Sequence, residues 1–142
     1  LHDALPISKS VTLLTVSNNN GDIDIDGVNL NTLTINSVSG DIDLSDLTAE
    51  RGKINSSAGE TEISETAVFT KMLEVNQSFG DIEIDVPRDP DKIKFIISSE
   101  TPLDEKAMCD SYLLSLAKST DGKAEYSVNV KNGELSVKNS DD

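Results

Sequence analysis

The sequence predicts an all-β chain folded as a parallel β-solenoid of about four to five rungs, and three observations carry that prediction. One phrase recurs: Gly-Asp-Ile-Asp-Ile at Gly21–Ile25, Gly-Asp-Ile-Asp-Leu at Gly40–Leu44, Gly-Glu-Thr-Glu-Ile at Gly59–Ile63 and Gly-Asp-Ile-Glu-Ile at Gly80–Ile84. The glycines lie 19, 19 and 21 residues apart. A period near twenty marks a solenoid, in which each unit buries its apolar face only against its neighbours. The likeness also extends upstream. Five residues before each glycine stands Val16, Ile35, Ile54 or Val75, and seven before stands Leu14, Leu33, Gly52 or Leu73.

Each unit is therefore an apolar-x-apolar strand, a polar turn ending in glycine, and a second alternating strand. Alternation sends successive side chains to opposite faces, so the isoleucines of Gly-Asp-Ile-Asp-Ile point inward and the carboxylates outward. Ser17, Asn36, Asn55 and Asn76 follow the apolar pair directly. Stacked Asn side chains can hydrogen-bond from rung to rung. The turn glycine is expected to supply a positive φ. Asn20-Gly21 is also a hairpin signal, so an antiparallel meander is the rival architecture. A meander needs alternation but not the same residue type at the same place in every unit.

Leu1–Ile7 resembles the in-frame translation of a sequencing-library adapter, and residues 1–7 are set aside as non-native. On that expectation the natural N-terminus is missing and His2, the single histidine, is no part of the fold. Residues 8–97 hold the repeats. Ser8–Val16 enters the first unit and Leu33–Leu44 covers the second. The third is the most divergent, with Gly52 and Thr61 in apolar places and a return path, Ser64–Met72, two residues longer. Leu73–Val86 restores the pattern. Pro87-Arg-Asp-Pro90 then interrupts it, since proline removes a ladder donor. Ile93–Ile97 reads as another strand, with Pro102 where the next glycine would stand. Residues 98–137 are expected to cap the stack. Within them Thr101–Lys118 reads as a short helix or irregular cap, with Thr101 as N-cap and Met108, Tyr112 and Leu116 on one face. Ala124–Val137 reads as a terminal rung or closing hairpin, because Val128 again stands five residues before a glycine, Gly133. Residues 138–142 form a tail.

The length suits one domain. A hydrophobic fraction of 36%, without Trp and with only two Tyr and three Phe, is thin for a globular core but suits a narrow stack of Ile, Leu and Val. The formal net charge of −14 disfavours nucleic acid and anionic lipid and favours cations or basic partners. No membrane segment is present in these residues.

The stacked Gly-Asp-Ile-Asp/Glu-Ile phrases, the apolar-x-apolar strands before them and the passage Asp85-Val-Pro-Arg-Asp-Pro-Asp-Lys-Ile-Lys-Phe95 together resemble a β-strand-repeat "adhesin" family, a domain of unknown function. The resemblance covers roughly Val11 to Val137 and implies a right-handed parallel β-solenoid without established enzymatic activity. It offers no catalytic motif. If the source is bacterial, it implies an envelope-associated or extracellular place. Thr61 and Pro102 depart from the pattern.

The outward carboxylates are the feature with chemical promise. Asp22, Asp41, Glu60 and Asp81 should form one column, and Asp24, Asp43, Glu62 and Glu83 another. Neighbouring rungs lie ~4.8 Å apart. Such columns could hold Ca²⁺, which takes several oxygen ligands. The blander reading, a solvated acidic face that blocks edge aggregation, is favoured. No cofactor is implied. Cys109 is alone and lacks a histidine to activate it, as do the serines. A carbohydrate-active enzyme with paired carboxylates is a third reading, opposed by the scarcity of aromatics to stack on sugars. The sequence thus points to a non-enzymatic module with a structural or surface-interaction role. Its partners would be a protein or glycan surface, and cation binding is the alternative.

Overall fold

A computed structural model describes residues 11–86, 93–99 and 124–139. These residues form nine strands of one sheet: β1 (Val11–Asn18), β2 (Ile23–Ser39), β3 (Ile42–Ala58), β4 (Thr61–Ile63), β5 (Ala67–Phe79), β6 (Ile82–Val86), β7 (Ile93–Ser99), β8 (Ala124–Asn132) and β9 (Leu135–Asn139). Every strand pair is parallel, so the meander is excluded and the chain is a β-solenoid. No helix occurs among the described residues. The segment expected to form one, 101–118, lies outside them.

The two long strands, β2 and β3, each close one rung and open the next. Their registers set the columns that the spacing to glycine predicts. Ile25, Leu44, Ile63, Ile84 and Val137 form one line. Val16, Ile35, Ile54, Val75 and Val128 form another. From Ile35 to Val128 the second line is fully buried, while Val16 on the first rung is partly covered. A side chain gains by stacking here because each rung covers the apolar face of the one before it.

The turn glycines make a column of their own. Gly40 has φ +125°, and a Cβ on it would lie 2.0 Å from the Gly21 carbonyl oxygen. Both the backbone conformation and the close approach of successive turns thus require glycine there.

Two departures in the third unit are compensated from the fourth. Gly52 occupies the Leu14–Leu33–Leu73 column. A Cβ there would meet Phe69 Cε1 at 2.3 Å, so the missing side chain is the space that the buried Phe69 ring fills. Phe69 meets Tyr126 edge to face, with ring centroids 6.2 Å apart, and its N–H donates to the Tyr126 hydroxyl. The surrounding apolar packing pushes the Tyr126 hydroxyl's pKa up to about 12. Thr61 is also fully buried, and its hydroxyl donates to Gln77 Oε1 at 2.6 Å. The longer return path is accommodated in two places. One residue enters between Ile63 and Ala67, and another enters at the register shift opposite Ala49 and Arg51.

Of the two forms expected for residues 124–137, the rung is present and the closing hairpin is not. β8 and β9 each pair in parallel with other strands, and the rung is outermost at β9 but not at β8. β8 pairs with β5 on one side and β7 on the other, and β9 pairs with β6. The fifth rung is thus made by 124–139, and β7, the next strand in sequence, lies outside it. The reason is chemical. A fifth rung must continue through the glycine turn, and Gly133 takes φ +152° there. Proline, with φ held near about −65°, cannot take that conformation at position 102.

Candidate functional site

The acidic columns are formed in the register expected from the repeats. Asp24, Asp43, Glu62 and Glu83 are successive partners across three strand pairs. All eight carboxylates are exposed except Glu83, which is half-buried. The column next to the glycines also has a structural task. Asp22 Oδ1 accepts the Asp41 N–H at 3.0 Å, Asp41 Oδ1 accepts the Glu60 N–H at 3.0 Å, and Asp81 Oδ1 accepts the Glu134 N–H at 2.9 Å. Meanwhile Ile23 N–H donates to the Asp41 carbonyl at 2.8 Å, so the carboxylate takes up the one donor that the backbone ladder skips at the turn. The step from Glu60 to Asp81 lacks this bond, since glutamate's extra methylene sets its carboxylate elsewhere.

In the second column the charges work against one another. The Glu62 carboxyl is held above its ordinary pKa of 4.5 by loss of hydration first, then by Asp43, Glu83, Glu60 and Asp85. Among the described residues, no three acidic, histidine or cysteine side chains gather closely enough to ligate one metal ion.

On the other side of the turn, the Asn column is a continuous ladder through three rungs. Asn55 Nδ2 donates to Asn36 Oδ1 at 3.0 Å, and Asn76 Nδ2 donates to Asn55 Oδ1 at 3.2 Å. Two residues further along each strand stand Val38, Ser57 and Ser78, which alternation places on the same face. Between these columns runs a trough of about 460 Å³, reaching from Ser17 on the first rung to Asn129 on the fifth. At one rung per ~4.8 Å it is roughly 19 Å long. Among the described residues that line it, none is Asp or Glu, although the chain carries 26 of them. Lys131 is the charged one.

Beneath the trough the next column faces inward and holds Ser37, Ser56 and Gln77 in register, all buried. Gln77 Nε2 donates to the Gly59 carbonyl at 2.9 Å and to the Asp81 carbonyl at 3.0 Å. Asn18 Nδ2 donates likewise to the Gly21 carbonyl. Ser37 and Ser56 are shorter, and their hydroxyls have no hydrogen-bond partner.

The sequence reading found the carboxylate and Asn columns but not the trough. Its second flank could have been found by counting two residues on from each Asn, but its shape could not. His2 and Cys109 lie outside the described residues.

The model of one domain family, Toastrack DUF4097, matches residues 8–138. No curated protein and no solved structure matches the chain.

Proposed function

Since the chain belongs to the Toastrack family, whose function is unknown, we propose that it is a non-enzymatic, adhesin-like interaction module whose trough receives an extended neutral glycan. One observation carries the reading: a strongly acidic chain keeps carboxylates out of one long groove and lines it with amides and hydroxyls. Apart from Lys131, the lining offers uncharged donors and acceptors at a fixed axial spacing, which suit an uncharged, hydroxyl-rich polymer and give a cation no carboxylate to pair with. The Asn ladder uses part of each amide's capacity and holds the remainder in place, which limits the ordering cost of binding.

Titration calorimetry against a panel of neutral oligosaccharides tests this, with Ser57→Asp as the probe. Ser57 is exposed, so the substitution leaves the core alone. At least one neutral glycan should bind, and Ser57→Asp should weaken it about tenfold or more by placing a desolvated charge in the groove. Binding that ignores Ser57→Asp, or no binding across the panel, contradicts the reading.

A second reading is a loose divalent-cation atmosphere over the acidic columns, with no ion ligated at one point. After loss of hydration, the charges of Asp43, Glu83, Glu60 and Asp85 add to the rise in the Glu62 pKa. It requires Ca²⁺ to raise Tm above a monovalent salt at matched ionic strength. Equal Tm values would leave a solvated acidic face.

A further inference from the structure

β8 lies between β5 and β7, so the outer strands are out of chain order. Both segments bring the same pattern to one edge. Phe95 and Ile97 are in register with Tyr126 and Val128, which are themselves in register with Leu73 and Val75. Along the chain Ile97 follows Val75 by 22 residues, close to the 21 between Ile54 and Val75, whereas Val128 follows by 53. Residues 93–99 thus reach the open edge of β5 first during synthesis, and with the smaller loop-closure cost. In the folded chain, however, 124–132 holds that edge.

The second half of the rung explains why. Residues 133–139 bring Leu135 and Val137 onto Ile82 and Ile84. They also stack Gly133 against Gly80 and give the Glu134 N–H to Asp81 Oδ1. Residues 93–99 match only the first half. We propose that the two segments are exchangeable occupants of the β5 edge. Residues 93–99 hold it first; residues 124–139 then insert and move 93–99 outward by one rung. Completion of the stack is therefore a strand-exchange step governed by the glycine turn at Gly133. Weakening that turn returns the edge to 93–99.

The full chain can report this through cysteines placed in one column. Asn76, Ser98 and Asn129 share it, in the spatial order 76, 129, 98. In a Cys109→Ser background, Asn76→Cys, Ser98→Cys and Asn129→Cys are combined and equilibrated in a glutathione buffer. Bridges are then identified by mass spectrometry. In the folded order positions 76 and 98 are two rungs apart, roughly 9.6 Å, which exceeds the reach of a disulfide. The 76–98 bridge should therefore form early in refolding, above its level in denaturant, and then give way to bridges involving 129. Adding Gly133→Val, whose Cβ would meet the Gly80 carbonyl oxygen at 1.9 Å, should favour the 76–98 bridge at equilibrium. The ratio should rise about tenfold or more, given the strain of a side chain at that φ. If Gly133→Val abolishes the strand signal in circular dichroism, the refolding time course decides alone. A 76–98 bridge that never exceeds its denatured level during refolding overturns the exchange.

Discussion

The second and third rungs fill the same cross-section by different means. The second does so with its own residues: Leu33, Ile35, Ile42 and Leu44 each take one column and are all buried. The third lacks two of these, having Gly52 and Thr61, and is completed by Phe69 and Gln77 from the strand stacked on it. A solenoid rung is thus not the unit of packing; the interface between two rungs is. Loss of an apolar residue is tolerated where a neighbouring rung carries the complementary change.

The largest expected effect breaks the regular rung at its turn. Gly40→Ala places a Cβ at positive φ and 2.0 Å from a backbone oxygen that cannot move without shifting its own rung. The cost should exceed about 3 kcal/mol in urea denaturation, combining φ strain with the clash. Phe69→Ala comes next, at about 3–5 kcal/mol, because Gly52 adds no atoms to fill the space. Leu44→Ala, in the regular rung, should cost about 2–5 kcal/mol. A much smaller effect of Phe69→Ala than of Leu44→Ala would mean that Phe69 does not stand in for the missing leucine.

The polar compensation should be weaker. Thr61→Val leaves Gln77 Oε1 buried without its donor, costing about 1–3 kcal/mol. Ser56→Ala, in the same inward column as Gln77, removes a hydroxyl that has no partner. It should be neutral or stabilising by up to about 1 kcal/mol. Opposite outcomes for these two variants would separate a satisfied polar group from an unsatisfied one at nearly the same depth.

The smallest effect lies on the acidic face. The folded Glu62 pKa is raised above 4.5, so the folded chain holds this proton more tightly than the unfolded chain does. Its charge therefore destabilises the fold above the folded pKa, and that penalty is relieved as pH falls through it. Glu62→Gln should raise Tm modestly at pH 7, and the gain should shrink to nothing as pH falls through the region of 4.5. A gain that persists in acid would come from something other than the ionised carboxylate.

Much of this fold was legible because identical spacing to glycine sets identical register. The Ile25 and Val16 lines, the Asn ladder and the positive φ at the turns all follow from that one fact. Phe69 was not legible as the partner of Gly52. It belongs to a different column and lies in the longer return path, where the register shifts. The Asp22 and Asp41 carboxylates read as solvent-facing because alternation reports direction, not hydrogen bonding. The place of 93–99 outside 124–132 was not legible because consecutive strands are usually neighbours in space. Here the later segment alone carries the glycine that the turn requires.

The claim that neighbouring rungs complete one another is tested most directly by a double-mutant cycle at Gly52 and Phe69. Gly52→Leu restores the leucine of the regular column but collides with the Phe69 ring. Phe69→Ala empties that space. Each single variant should be destabilised by about 1–5 kcal/mol in urea denaturation. Combined, the new Leu should occupy the vacated space, so the double variant should be more stable than the sum of the singles allows by about 1.5–3 kcal/mol. Effects that add within about 0.5 kcal/mol would show that the two positions do not share that space, and the account of the third rung would fail.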